Sequence, residues 1–99
     1  MIQHDVMIKL IDMPKEEKAA KCQELKNILE ALKDKIPQIY TIRVGINVSP
    51  RLIAFDLIAS STFNSLEDLN KFRFHPAHLK AVEGIQKVEK QSVLVDHVV

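Results

Sequence analysis

Four histidines carry most of the chemistry this chain can offer near neutral pH. His75 and His78 stand three apart in the stretch covering residues 63–79, while His4 and His97 lie near the two ends. His78 falls in the first turn of a predicted helix, where the positive end of the helix dipole disfavours imidazolium. A neutral imidazole at pH 7 suits the abstraction of a proton next to a carbonyl, so His78 is the candidate general base. The structural alternative is an imidazole that hydrogen-bonds backbone and fixes a joint. His75 precedes Pro76 and takes the cap position of the new helix, where its ring can meet unpaired backbone donors. A metal needs three or four ligands. His75 and His78 supply two, with His4 and His97 as the other options, and neither an HExxH pattern nor a cysteine cluster accompanies them. No metal and no cofactor are therefore expected. Cys22 sits on an apolar helix stripe, where a thiol acts as a small hydrophobe.

The elements that must position these groups follow from local pattern. Ser65 followed by Asp68 has the capping-box shape, and Leu66, Leu69 and Phe72 recur at helical spacing. The helix must break at His75-Pro76, because the residue before proline avoids the α region. Leu79, Val82, Ile85 and Val88 make the next apolar stripe, with Gly84 weakening it. Residues 2–11 alternate, placing Ile2, His4, Val6, Ile8 and Leu10 on one dry face of a strand. From 15 to about 35, Cys22, Leu25, Ile28, Leu29, Leu32 and Ile36 form a helical stripe. Residues 39–48 and 53–63 alternate again as strands, and 92–99 is β-rich.

The order β-α-β-β-α-β is the split βαβ arrangement of ferredoxin-like folds, an α+β class with a four-stranded antiparallel sheet covered by helices on one face. Ninety-nine residues suit one domain, residues 1–99. The open face is expected to carry Met7, Ile39 and Ile58 among Lys9, Arg43 and Asp56, with Lys9 and Arg43 pairing with Asp5 or Asp56. That face is too apolar for open water, so a homodimer packed sheet to sheet is expected. A pocket between sheet and helices is expected, lined by His4, Val6, Ile8, Leu25, Phe72 and His78, with His75 at its edge. The net charge is +1 and the lysines of residues 15–35 alternate with acids, which argues against a nucleic-acid partner. The longest apolar runs are too short to span a membrane, and the first residues carry no signal-peptide pattern, so the cytoplasm is the expected compartment.

Specific segments resemble the stress-responsive A/B barrel domain (Dabb) family. They are Ile2-Gln-His4-Asp-Val-Met-Ile-Lys9-Leu, then Ile36-Pro37 through Val44-Gly45-Ile-Asn47-Val-Ser-Pro50, then Phe63-Asn-Ser-Leu-Glu-Asp-Leu with His75-Pro-Ala-His78, and finally Val93-Leu-Val-Asp96. The resemblance spans essentially the whole chain. It implies a ferredoxin-like monomer that dimerises into an α+β barrel. Some plant members of the family are polyketide cyclases, in which the second histidine of His-Pro-Ala-His is the base and a tyrosine earlier on the helix assists. The base position falls on His78 and the tyrosine position on Phe72, which has no hydroxyl; His97 stands where members often carry tyrosine.

The function expected from these readings is binding of a small apolar or aromatic molecule, or a structural stress module. The alternative is a cyclase-like lyase acting on a small carbonyl compound with His78 as general base. A weaker alternative, from fold analogy alone, is a small monooxygenase of the dimeric barrel type.

Overall fold

Alternating polarity yields four strands and helical spacing yields three helices in the computed structural model, which describes residues 1–99. Strand β1 (Ile2–Leu10) leads to helix α1 (Lys15–Glu30), which tightens into a 3-10 turn at Ala31–Asp34. Strands β2 (Thr41–Ile46) and β3 (Leu57–Phe63) follow, then α2 (Leu66–Arg73), α3 (Pro76–Gln86) and strand β4 (Glu89–Val98). The sheet order is β2-β3-β1-β4 and every pairing is antiparallel. No helix is long and apolar enough to cross a membrane.

The register decides what the helices cover. His4 lies opposite Ser61 on one side and Asp96 on the other, and Ile8 lies opposite Leu57 and Ser92. Ile8, Leu10, Val44, Leu57 and Phe63 are buried beneath Cys22, Leu25 and Leu29 of α1 and Leu69 and Phe72 of α2. Glu16 and Glu17 occupy the first turn of α1, where the helix dipole favours acids. Ser65 caps α2, its hydroxyl accepting the Asp68 N–H at 3.1 Å. Pro76 opens α3 behind a second cap: the Ala77 N–H donates to His75 Nδ1 at 3.1 Å.

Several expectations are corrected. The third strand begins at Leu57, not at 53, and Ile53 lies exposed in the connection. Asp56 sets this start: its N–H donates to Ile8 O at 2.9 Å and its Oδ2 accepts the Leu10 N–H at 2.8 Å. The second strand covers only Thr41–Ile46, so Tyr40 and Val48 stay exposed. Ile39, expected on the open face, precedes that strand and is 4% exposed in the core. Ile28 drops out of the buried stripe of α1, and Leu66 and Leu79 likewise lie exposed, because no third layer packs over the helices. The last strand starts earlier, at Glu89. Lys9 and Arg43 do not pair with Asp5 or Asp56. Asp5 meets His97, Asp56 lies 3.8 Å from Lys18 Nζ, and Lys9 sits over the Phe55 ring at 5.9 Å.

The two sheet edges differ. On β2, Lys26 Nζ donates to Val44 O at 2.6 Å and Glu30 Oε2 accepts the Val44 N–H at 2.9 Å. The two side chains are themselves paired at 3.0 Å, so one ion pair from α1 closes this edge against another strand. On β4 no side chain does so, and Val93, Leu94, Val95 and Val98 are exposed across both faces. Glu30→Ala is expected to cost about 1 kcal/mol at neutral pH in a urea titration, the value for a charged hydrogen bond reduced by partial exposure. The Val44 N–H, and then Lys26, hold the Glu30 carboxyl below its ordinary 4.5. A depressed carboxylate stabilises above its unfolded pKa and loses this contribution as pH falls through the folded one. The gap between wild type and variant should therefore close on the acid side.

Candidate functional site

The break between α2 and α3 holds two aromatic rings over the helix-covered face of the sheet. Phe72, from the last turn of α2, packs its ring 4.2 Å from His78 and 6.0 Å from His4. Beneath it Phe63 lies at 5.0 Å and fixes its place in the core. Around these rings is a cavity of about 190 Å³. Strand β1 contributes His4, Val6 and Ile8, the helices contribute Leu29, Phe72, His78, Val82, Ile85 and Gln86, and the rest of the sheet wall is Ile42, Ala59 and Ser61 with Glu89 and Ser92 of β4. An engineered apolar cavity of about 150 Å³ takes a benzene ring, so this volume suits a small substituted ring.

The structure brings His4, Val6, Ile8, Phe72 and His78 to one cavity. Leu25, expected there, points elsewhere: it lies one turn earlier on α1 than Leu29, which takes that place. His75 is absent from the lining too, because its ring is engaged in capping α3. Ile42, Ser61 and Val82 were not anticipated on the wall. The alternation that put Leu57 and Ala59 on one face carries Ser61 with them, so that signal was present. Ser61 is 2% exposed and its hydroxyl reaches His4 O at 3.4 Å.

Hydrogen bonding assigns the imidazole protons. His78 Nδ1 lies 3.0 Å from Arg73 O, and a carbonyl oxygen can only accept, so Nδ1 carries the proton. In the neutral ring Nε2 then holds a free lone pair, with no protein partner. Burial pushes the His78 pKa down, opposed by the Arg73 carbonyl and reinforced by repulsion from His4, Arg73 and His75. His4 Nδ1 makes a short contact with a carboxylate oxygen of Asp96, directly across the strand pair. An ionised carboxylate likewise only accepts, so His4 Nδ1 is protonated and its Nε2 is free of protein partners. His97 lies on the other sheet face, with Nε2 3.0 Å from Asp5 Oδ2. Burial raises the Asp5 pKa, and bonds from His97, Ser60 and Gln3 outweigh it, leaving a net lowering. No three His, Cys, Asp or Glu side chains converge to hold a metal ion. Cys22 is buried and burial raises its thiol pKa, which favours the unreactive form.

The family model described as "Stress responsive A/B Barrel Domain" matches residues 2–99. Among solved structures, a dimeric protein of unknown function with a ferredoxin-like fold from Bacteroides fragilis NCTC 9343 shares 31% identity. The match covers 99% of this chain and 95% of that one, with a TM-score of 0.90. A Dabb family protein of ferredoxin-like fold from Mesorhizobium loti shares 18% identity over 99% and 95% of the two chains, at a TM-score of 0.76. The hydroxynitrile lyase of Passiflora edulis shares 17% identity over 99% and 92%, at a TM-score of 0.78. No curated protein matches the sequence.

Proposed function

The chain belongs to the stress-responsive A/B barrel domain family, and on that premise we propose that it is a homodimer which binds a small apolar or aromatic carbonyl compound, with His78 as general base. The observation that carries the chemistry is the His78 hydrogen bond. Its Nδ1 is committed to Arg73 O, and the ring borders an apolar cavity with Nε2 unpartnered. Such a group takes a proton from a carbon next to a carbonyl, leaving an enolate. The enolate oxygen then needs a hydrogen-bond donor. Phe72 supplies none, and His4 is the polar ring left in the cavity. We assign that role to the His4 ring in its doubly protonated form, with Nδ1–H held by Asp96 and Nε2–H left for the oxygen. The hydroxynitrile lyase on the same fold supports a lyase-type reading at the level of fold.

The test is deuterium exchange of the methyl protons of acetophenone in D2O, followed by proton NMR. The bound ketone gives its proton to His78 Nε2 and receives a deuteron back, so no second substrate is required. Wild type should exceed the buffer background, and exchange should fall in His4→Phe as well as in variants at His78. Background exchange, with a saturable thermal shift from the same ketone, would leave a binding module without turnover.

What supports the dimer is the open sheet face. Gly45, Ile58, Met7 and Val93 form one apolar row across all four strands. Met7, Ile58 and Val93 are 43%, 38% and 40% exposed in the single chain. The related protein from Bacteroides fragilis is dimeric. Ile58→Lys places a charge in the middle of that row. Light scattering after size-exclusion chromatography should show a dimer for wild type and a monomer for the variant. A monomeric wild type would remove the sheet-to-sheet assembly.

A further inference from the structure

Gly84 has no reason within its own chain to be glycine. It lies inside α3, where glycine weakens a helix relative to alanine, and its φ is not positive. A Cβ added there would meet nothing within 4 Å. The position opens instead onto a groove of about 490 Å³ between α1 and α3, outside the histidine cavity. Its α3 side carries the small residues Ala77, Ala81 and Gly84 beside Ile85, and its α1 side carries Leu25 and Ile28, with Leu32 beyond. Ile28 is 41% exposed, a large apolar side chain left without cover. Three lysines stand on the rim. Lys21 is paired with Glu24 at 2.9 Å, whereas Lys35 and Lys80 make no ion pair and no hydrogen bond through their ammonium groups.

We propose that this groove is the docking site for an amphipathic helix of another protein, with acidic residues flanking its apolar stripe. Small residues at 77, 81 and 84 let a third helix bring its backbone close. An apolar floor accepts side chains at i, i+4 and i+7 of that helix. Residues 21–32 run about 16 Å along the helix axis, some three turns of a partner. The two free ammonium groups select the sign of its flanks, since an acidic helix pairs with them and a basic one is repelled.

The probes are two fluorescein-labelled 18-residue helical peptides with the same leucine stripe, one flanked by glutamate and one by lysine. Each is titrated against the intact chain at low salt by fluorescence anisotropy. The glutamate peptide should bind saturably and the lysine peptide at least tenfold more weakly. The double variant Lys35→Glu/Lys80→Glu should invert that order. Gly84→Ala should raise the melting midpoint by about 4 °C, as a filled helix position does, and yet weaken the glutamate peptide. Gly84→Leu should weaken it at least tenfold, with circular dichroism reporting its fold. If the leucine variant fails to fold, the alanine and charge variants carry the test. Equal binding of both peptides, indifference to the charge reversal, or binding of dodecanoate in place of either peptide overturns the proposal. Neither the peptides nor the Gly84 variants involve His78, so this outcome is independent of the proton-transfer reading.

Discussion

Phe72→Ala should lower the unfolding free energy by about 3–5 kcal/mol, the range for truncating a buried aromatic ring. Phe72 is 3% exposed and touches Phe63 below it and both cavity histidines beside it. The loss has two parts: the transfer free energy of the ring, and the contacts its neighbours lose around the added void. Collapse is hindered because Phe63 is fully buried and locked among strand residues. Against a total stability of about 5–15 kcal/mol for a domain of this size, the change is large. A urea titration measures it, and a shift below about 1 kcal/mol would show that the site relaxes freely. Phe72→Leu should cost less, since it leaves a smaller void. In either variant the His78 ring loses the face it packs on at 4.2 Å. The effects on exchange should therefore exceed what the remaining folded fraction explains.

His78→Gln is expected to reduce acetophenone exchange by about 10²- to 10⁴-fold, the usual contribution of a positioned general base. Glutamine can still bond Arg73 O but cannot accept a proton near neutral pH. Its melting midpoint should stay near that of wild type, which separates loss of chemistry from loss of fold. Retention of full exchange in this variant would falsify the assignment of the base. The pH profile gives a second readout. Burial holds the His78 pKa below its ordinary 6.5, so the neutral, active form persists to lower pH than a free imidazole allows. On the acid side exchange should thus rise with pH through a midpoint lower than that of an unperturbed histidine. Stability shifts in the same direction. A base with a depressed folded pKa binds fewer protons folded than unfolded between the two values. Stability is fully present above pH 6.5, falls as the pH drops below it, and flattens beneath the folded pKa. His78→Gln should remove that slope.

The joint that presents His78 was legible in the sequence because every signal in it is local. The Ser65 cap, the break before Pro76 and the cap by His75 involve groups two or three residues apart. The alternation of β1 was equally local and placed His4 with Val6 and Ile8. Other features lay beyond it. The partner of His4 is Asp96, 92 residues away, and only the β1–β4 register makes them neighbours. The replacement of Leu25 by Leu29 at the cavity depends on how far α1 is rotated over the sheet. Ile39 is buried, and the ion pair of Lys26 and Glu30 closes the β2 edge, because α1 and its 3-10 turn pack where they do. Sequence by itself determined the elements, their order and the histidine at the helix start, since periodicity, caps and proline act within one turn. Tertiary structure decided which His4 nitrogen carries the proton and which groups share the cavity, because those follow from strand register and helix rotation, set by packing across the whole chain.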